Sequence, residues 1–66
     1  MLKLFDIVKL KADDPVTGVP KDAKGAVVYI HADGAAYTVE FVDKDGDTYE
    51  GSFKREFTEA ELLPIE

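Results

Sequence analysis

No cysteine occurs among the 66 residues, which excludes disulfide staples, thiolate nucleophiles and cysteine-rich zinc sites. Long apolar runs are missing too; none approaches the roughly 20 residues that span a bilayer. The opening Met1-Leu2-Lys3-Leu4-Phe5-Asp6 lacks the unbroken apolar stretch of a signal peptide. The expectation is a cytoplasmic chain of bacterial type with no membrane association. Basic charge is scarce: 8 Lys and Arg stand against 14 Asp and Glu, a net charge of −6. The deficit is uneven. Residues 1–32 hold five Lys and four Asp (+1), whereas residues 33–66 hold three basic and ten acidic groups (−7). Phosphate backbones select clustered Lys and Arg, so nucleic acid is a poor partner for this chain and a basic protein a better one.

Catalytic signatures are equally sparse. The single histidine, His31, stands just before a turn, where a surface position is expected. It has no nucleophile at a telling spacing, and one imidazole is a thin basis for a metal site. There is no Gly-rich phosphate loop and no G-x-S-x-G elbow. Asp43-Lys44-Asp45-Gly46-Asp47 invites a calcium-loop reading, but the glycine and glutamate that such a loop needs at its sixth and twelfth positions are Thr48 and Lys54. A turn rich in residues that tolerate tight backbone is the better account. A chain this short also struggles to enclose the roughly 300 Å³ of a small-molecule pocket. The expectation is no enzyme, no cofactor, no metal and no catalytic residue.

What the chain does contain is a series of short β-like runs separated by Gly, Pro and Asp. Strands are expected over residues 4–10, 25–31, 35–42, 48–53 and 62–65. A proline-bearing loop over 11–24 excludes a helix there. Thr58-Glu59-Ala60-Glu61 carries the capping-box spacing, which places one helical turn before the last strand, and Pro64 marks that strand as an edge. The whole, residues 1–66, reads as one all-β domain, a small five-stranded SH3-like barrel.

Parity sets the expected register. A two-residue Asp33-Gly34 turn pairs Ile30 with Tyr37 and Val28 with Val39. A three-residue Lys44-Asp45-Gly46 loop sets Phe41 against Tyr49, Val39 against Gly51 and Tyr37 against Phe53. The core is then Ala26, Val28, Ile30, Tyr37, Val39, Phe41, Tyr49 and Phe53, with Val8, Leu10, Leu62 and Ile65. Val27, Tyr29, Thr38, Glu40, Glu50 and Ser52 share the outer face. Glu40 lies opposite Glu50, a mildly unfavourable pair that is either relieved by Lys3, Lys9 or Lys11 or kept for a basic partner.

Three strings, Leu4-Phe5-Asp6-Ile7-Val8, Gly25-Ala26-Val27-Val28 and Ala36-Tyr37-Thr38-Val39-Glu40-Phe41-Val42-Asp43, followed by Asp45-Gly46 and Thr48, resemble a bacterial family of short proteins known as domain of unknown function 4926. The resemblance covers nearly the whole chain. It implies an SH3-like or KOW-like fold and carries no catalytic residues with it. The segment Glu50-Gly51-Ser52-Phe53-Lys54-Arg55-Glu56 is longer and more polar than the family's usual apolar strand.

The functional expectation is a non-enzymatic protein-protein interaction module binding through Val27, Tyr29, Glu40 and Glu50. An aromatic anchor supplies affinity there and acidic charge speeds encounter with a basic partner. A small neutralising partner, antitoxin- or immunity-like, and an accessory subunit of a larger enzyme are two forms of such a module. The alternative is a KOW-like nucleic-acid or ribosome-associated barrel, which rests on fold analogy alone.

Overall fold

The computed structural model describes residues 1–65. Four strands form one antiparallel sheet: β1 (Ile7–Leu10), β2 (Lys24–His31), β3 (Ala36–Val42) and β4 (Leu62–Pro64), in the order β3-β2-β1-β4. Single 3-10 turns occupy Glu50–Phe53 and Glu59–Glu61, and a left-handed turn spans Ala32–Gly34, where all three residues have positive φ. The chain is therefore all-β, and the sheet is open rather than a closed five-stranded barrel. No helix among the described residues is long and apolar enough to cross a membrane.

The β2-β3 hairpin turns on Asp33-Gly34 as its sequence requires. Both residues have positive φ, 59° and 106°, the combination that suits the right-handed twist of flanking strands. Ile30 pairs with Tyr37 as expected, but a bulge then shifts the register, and Val39 faces Val27 instead of Val28. One extra residue exchanges the two faces of a strand. Hence Gly25 and Val27 point into the core while Ala26 and Val28 are only partly buried. The bulge is clamped from β1's side: Phe5 N–H donates to the Val27 carbonyl at 2.6 Å and Val27 N–H to Asp6 O at 3.0 Å.

The strand expected at residues 48–53 does not form. Its register begins as parity demands, with Thr48 bridged to Val42 and Tyr49 N–H donating to Phe41 O at 3.0 Å. Gly46 takes a left-handed φ of 86° in the loop. From Glu50 the backbone winds into a 3-10 turn, and a side chain replaces the missing strand. Ser52 Oγ accepts from Phe41 N–H at 2.8 Å and donates to Val39 O at 2.6 Å, satisfying the two buried groups that a ladder partner would have taken. Four residues beyond Phe53, Phe57 exchanges both backbone bonds with Tyr37, at 2.7 and 2.8 Å. It is Phe57 that fills the core opposite Tyr37, while Phe53 is exposed.

The buried apolar set is Leu2, Val8, Leu10, Val19, Ala23, Val27, Tyr37, Val39, Phe41, Phe57 and Leu62. Phe41 and Phe57 meet edge to face at 5.2 Å, the favoured geometry for two quadrupoles. Ile30 and Tyr49 pack against this set from its margin, and Ile65 is exposed. The loop over residues 11–23 supplies the lid. Asp14 Oδ2 accepts from the Thr17 amide and hydroxyl at 3.1 and 2.6 Å, which folds the loop so that Val19 drops into the core.

Arg55 ties that lid to the C-terminal turn. Its guanidinium donates to Asp14 Oδ1 at 3.3 Å and to Glu61 Oε1 at 3.2 Å, and lies 4.2 Å over the Phe57 ring. Glu61 also accepts from the Thr58 amide at 2.8 Å, the return bond of the expected capping box. Burial alone raises the Asp14 carboxyl, but hydrogen bonds from Thr17 and Arg55 outweigh it and hold the group below its ordinary 3.8. The Arg55 hydrogen bond, working against burial and aided by Thr58, holds Glu61 below 4.5. Both folded-state values lie below the unfolded ones, so the stabilisation is complete above those ordinary values. It is lost as pH falls through the folded ones. Melting temperatures from pH 7 down to pH 2 are expected to fall more steeply at the acid end for the natural chain than for Arg55→Met. Parallel curves are the contrary result.

Candidate interaction surface

Alternation along the paired strands assembles one outward face. β4 contributes Leu63, with Ile65 just past its end, β1 contributes Ile7 and Lys9, β2 contributes Lys24 and Ala26, and β3 contributes Thr38, Glu40 and Val42. Beyond the bulge, β2 adds Tyr29 and His31. Ile7, Tyr29, Leu63 and Ile65 are all exposed, Tyr29 at 59 %. Exposed large apolar groups gathered on one face, rather than scattered singly, mark interaction surfaces.

Two local distortions border this face. The β2 bulge reseats Tyr29 opposite Thr38. Phe5, whose amide bonds Val27, takes φ 69° and is 72 % exposed. A left-handed backbone is costly for a bulky side chain and clusters at binding sites. Tyr29 packs edge-on against His31 with centroids 4.7 Å apart, and His31 Nε2 shares a 2.7 Å hydrogen bond with Thr38 Oγ1. The histidine is therefore half-buried and engaged, not the free surface group its position before the turn suggests. Glu40 is fixed by a 2.8 Å bond from the Thr48 hydroxyl. Between these groups runs a shallow depression of about 240 Å³, lined by Ile7, Lys24, Ala26, Glu40, Val42 and Thr48 among others.

Of the four residues expected at a partner surface, Tyr29 and Glu40 share this face. Val27 does not, because the bulge turns it inward to 0 % exposure. Glu50 is exposed, but it opens the 3-10 turn beyond β3 instead of facing Glu40, whose cross-strand partner is Ala26. The like-charged pair is thereby avoided. Ser52, also expected outside, is fully buried. Ile7 was readable from the parity of its strand, opposite Val8 and Leu10, whereas Ile65, expected in the core beside Leu62, is exposed on this face with Leu63. Phe5 was not readable, since a positive φ on phenylalanine has no sequence signal.

A second, larger concavity lies beside the first. It is an open groove of about 470 Å³ lined by Pro20, Lys21, Asp22, Ala23, Lys24, Val42, Asp43, Lys44 and Tyr49. A chain this short does not wrap a cavity of that size. It makes one by leaving room between the end of the proline-bearing loop and the tip of the β3 hairpin. Asp43 is turned inward, its Oδ1 accepting from the amides of Asp45 and Asp47 at 2.8 and 3.0 Å. This is the turn-stabilising use expected of the acidic string. Among the described residues, no three His, Asp or Glu side chains gather as a metal-ligating group.

The edges of the sheet shape how a partner can approach. The outer edge of β3 is taken by Tyr49, Ser52 and Phe57. At β4, Ile65 N–H bonds Ile7 O and Lys11 N–H bonds Glu61 O, so alternation aims the amides of Leu62 and Pro64 outward. Leu62 N–H is spent on Glu59 O, and proline has no N–H. Among the described residues, this edge offers no donor to an incoming strand.

No curated protein and no solved structure matches the chain. A family model does match, over residues 4–53, which takes in β1 to β3 and ends before Arg55, Phe57 and β4. That is more than half of the chain, so it belongs to the family described as Domain of unknown function (DUF4926).

Proposed function

We propose that this chain is a non-enzymatic protein-interaction module that docks a partner on the outward face of its sheet. The observation that carries the reading is the exposed apolar face of Ile7, Tyr29, Leu63 and Ile65, with Phe5 presented beside it on strained backbone. Rigid strands supply the platform, and Tyr29 is the anchor, since tyrosine dominates binding energy where it is fixed and exposed. Glu40 on the face and the acidic hairpin tip beside it favour a partner with basic residues around an apolar centre. A neutralising partner and an accessory subunit both fit this chemistry. The architecture is read as a degenerate SH3-like barrel, in which residues 48–57 run along β3 as a side-chain-mediated fifth strand.

Capture from the native host at about 0.15 M salt, with wild type and Tyr29→Glu compared, tests the reading. A discrete partner held by wild type should fall at least about tenfold with Tyr29→Glu, because an anchor residue of this kind is worth about 2 kcal/mol or more. Glu50→Gln, in the 3-10 turn beyond β3, should leave capture unchanged. Equal capture by wild type and Tyr29→Glu contradicts the assignment of the face.

A further inference from the structure

The 470 Å³ groove, which shares Lys24 and Val42 with the rim of the docking face, carries an inference of its own. Three segments converge on it: the loop end with Lys21, the first residue of β2 with Lys24, and the hairpin tip with Lys44. The chain has only eight basic residues against fourteen acidic ones, yet three of the eight line this one concavity. Two carboxylates, Asp22 and Asp43, share the lining, which leaves a formal excess of one positive charge, and each has a partner other than the three lysines. Asp22 Oδ1 lies 3.6 Å from Lys9 Nζ, outside the three lysines. Asp43 is held by the amides of its own turn. Among the described residues, no carboxylate lies within 4.0 Å of the ammonium of Lys21, Lys24 or Lys44. Tyr49 and Val42, both partly buried, add less polar walls.

We propose that this groove is a binding site for a multivalent oxyanion, the phosphoryl group of a small phosphorylated molecule being the class it suits best. Ammonium groups act as point charges on phosphate, and the three lysines that line this concavity can bring theirs to an anion seated in it. The net charge of −6 does not forbid this. At about 0.15 M salt the Debye length is about 8 Å, so remote acids are screened while lysines in direct contact are not.

Amide NMR of the 15N-labelled chain, titrated with sodium pyrophosphate and separately with tricarballylate at fixed ionic strength, decides the matter. Saturable shifts confined to residues 21–24, 42–44 and 49 are expected. Stronger binding of pyrophosphate assigns a phosphoryl ligand, and stronger binding of tricarballylate assigns a polycarboxylate to the same oxyanion site. Lys24→Gln/Lys44→Gln should weaken binding at least about tenfold, the effect of removing two contact charges. Lys54→Gln, away from the groove, should not. Shifts that stay linear, or that spread to Lys3, Lys11 and Lys54, overturn the proposal, as does unchanged affinity in the double variant. The docking face is tested separately at Tyr29, which is not part of the groove.

Discussion

Ser52→Ala is expected to lower stability by about 2–4 kcal/mol, since it strands two buried backbone groups at once. The hydroxyl accepts from Phe41 N–H and donates to Val39 O, and the residue is fully buried. Alanine fits the space, so the loss isolates hydrogen bonding from packing. Water cannot easily replace the hydroxyl, because Val39 and Phe41 are themselves at 0 % exposure. A domain of this size has about 3–10 kcal/mol to lose, and each kcal/mol moves Tm by about 4–8 °C. A drop of about 10–25 °C in a thermal melt is the expected result. A change under about 3 °C would mean that the serine does not stand in for a strand.

Gly51→Ala is the second large effect, and it works by overlap. A Cβ at residue 51 would sit 2.0 Å from Thr17 O and 2.9 Å from Thr17 C. These are backbone atoms of the lid, held by the Asp14-Thr17 hydrogen bonds, so they cannot rotate away like a side chain. To admit one methyl, the lid or the 3-10 turn must move by more than an ångström. Forced overpacking costs about 1–3 kcal/mol, and the rigidity of both sides puts this case at the upper end. The same movement separates Arg55 from Asp14, so the acid sensitivity of the natural chain should shrink as well. Urea unfolding at pH 7 checks the first effect. Stability equal to or above that of the natural chain would show that loop and turn do not meet backbone to backbone.

Much of this fold was legible because period-2 patterning is a strong constraint where one face is buried. The two turn chemistries, Asp33-Gly34 and Lys44-Asp45-Gly46, fixed both hairpin registers at their closed ends. The capping box at Thr58 and the edge role of Pro64 followed from local rules. The parity argument failed where a backbone irregularity intervened. A bulge between Val27 and Tyr29 leaves no trace in a run such as Ala26-Val27-Val28-Tyr29-Ile30, where either face is apolar enough to go inward. The run Tyr49 to Phe53 failed differently, because a serine can satisfy a neighbouring strand while its own backbone turns away. Phe57 then took the core position assigned to Phe53.

The surface was harder to read than the core. Tyr29 kept its outward assignment because the bulge moved only the residues before it. Val27 lost its place for the same reason, and Glu50 because its strand ended. The lysine groove was not legible, since Lys21, Lys24 and Lys44 come together only when the hairpin tip folds back beside the proline-bearing loop.

Replacing Tyr29 with the photocrosslinker p-benzoylphenylalanine, and Phe53 likewise in a separate protein, compares an exposed aromatic on the outward face with one in the 3-10 turn beyond β3. In the native host, light is expected to yield one discrete protein adduct from position 29 and none from position 53. Adducts of equal yield from both positions, or from position 53 alone, would contradict a docking role for the outward face.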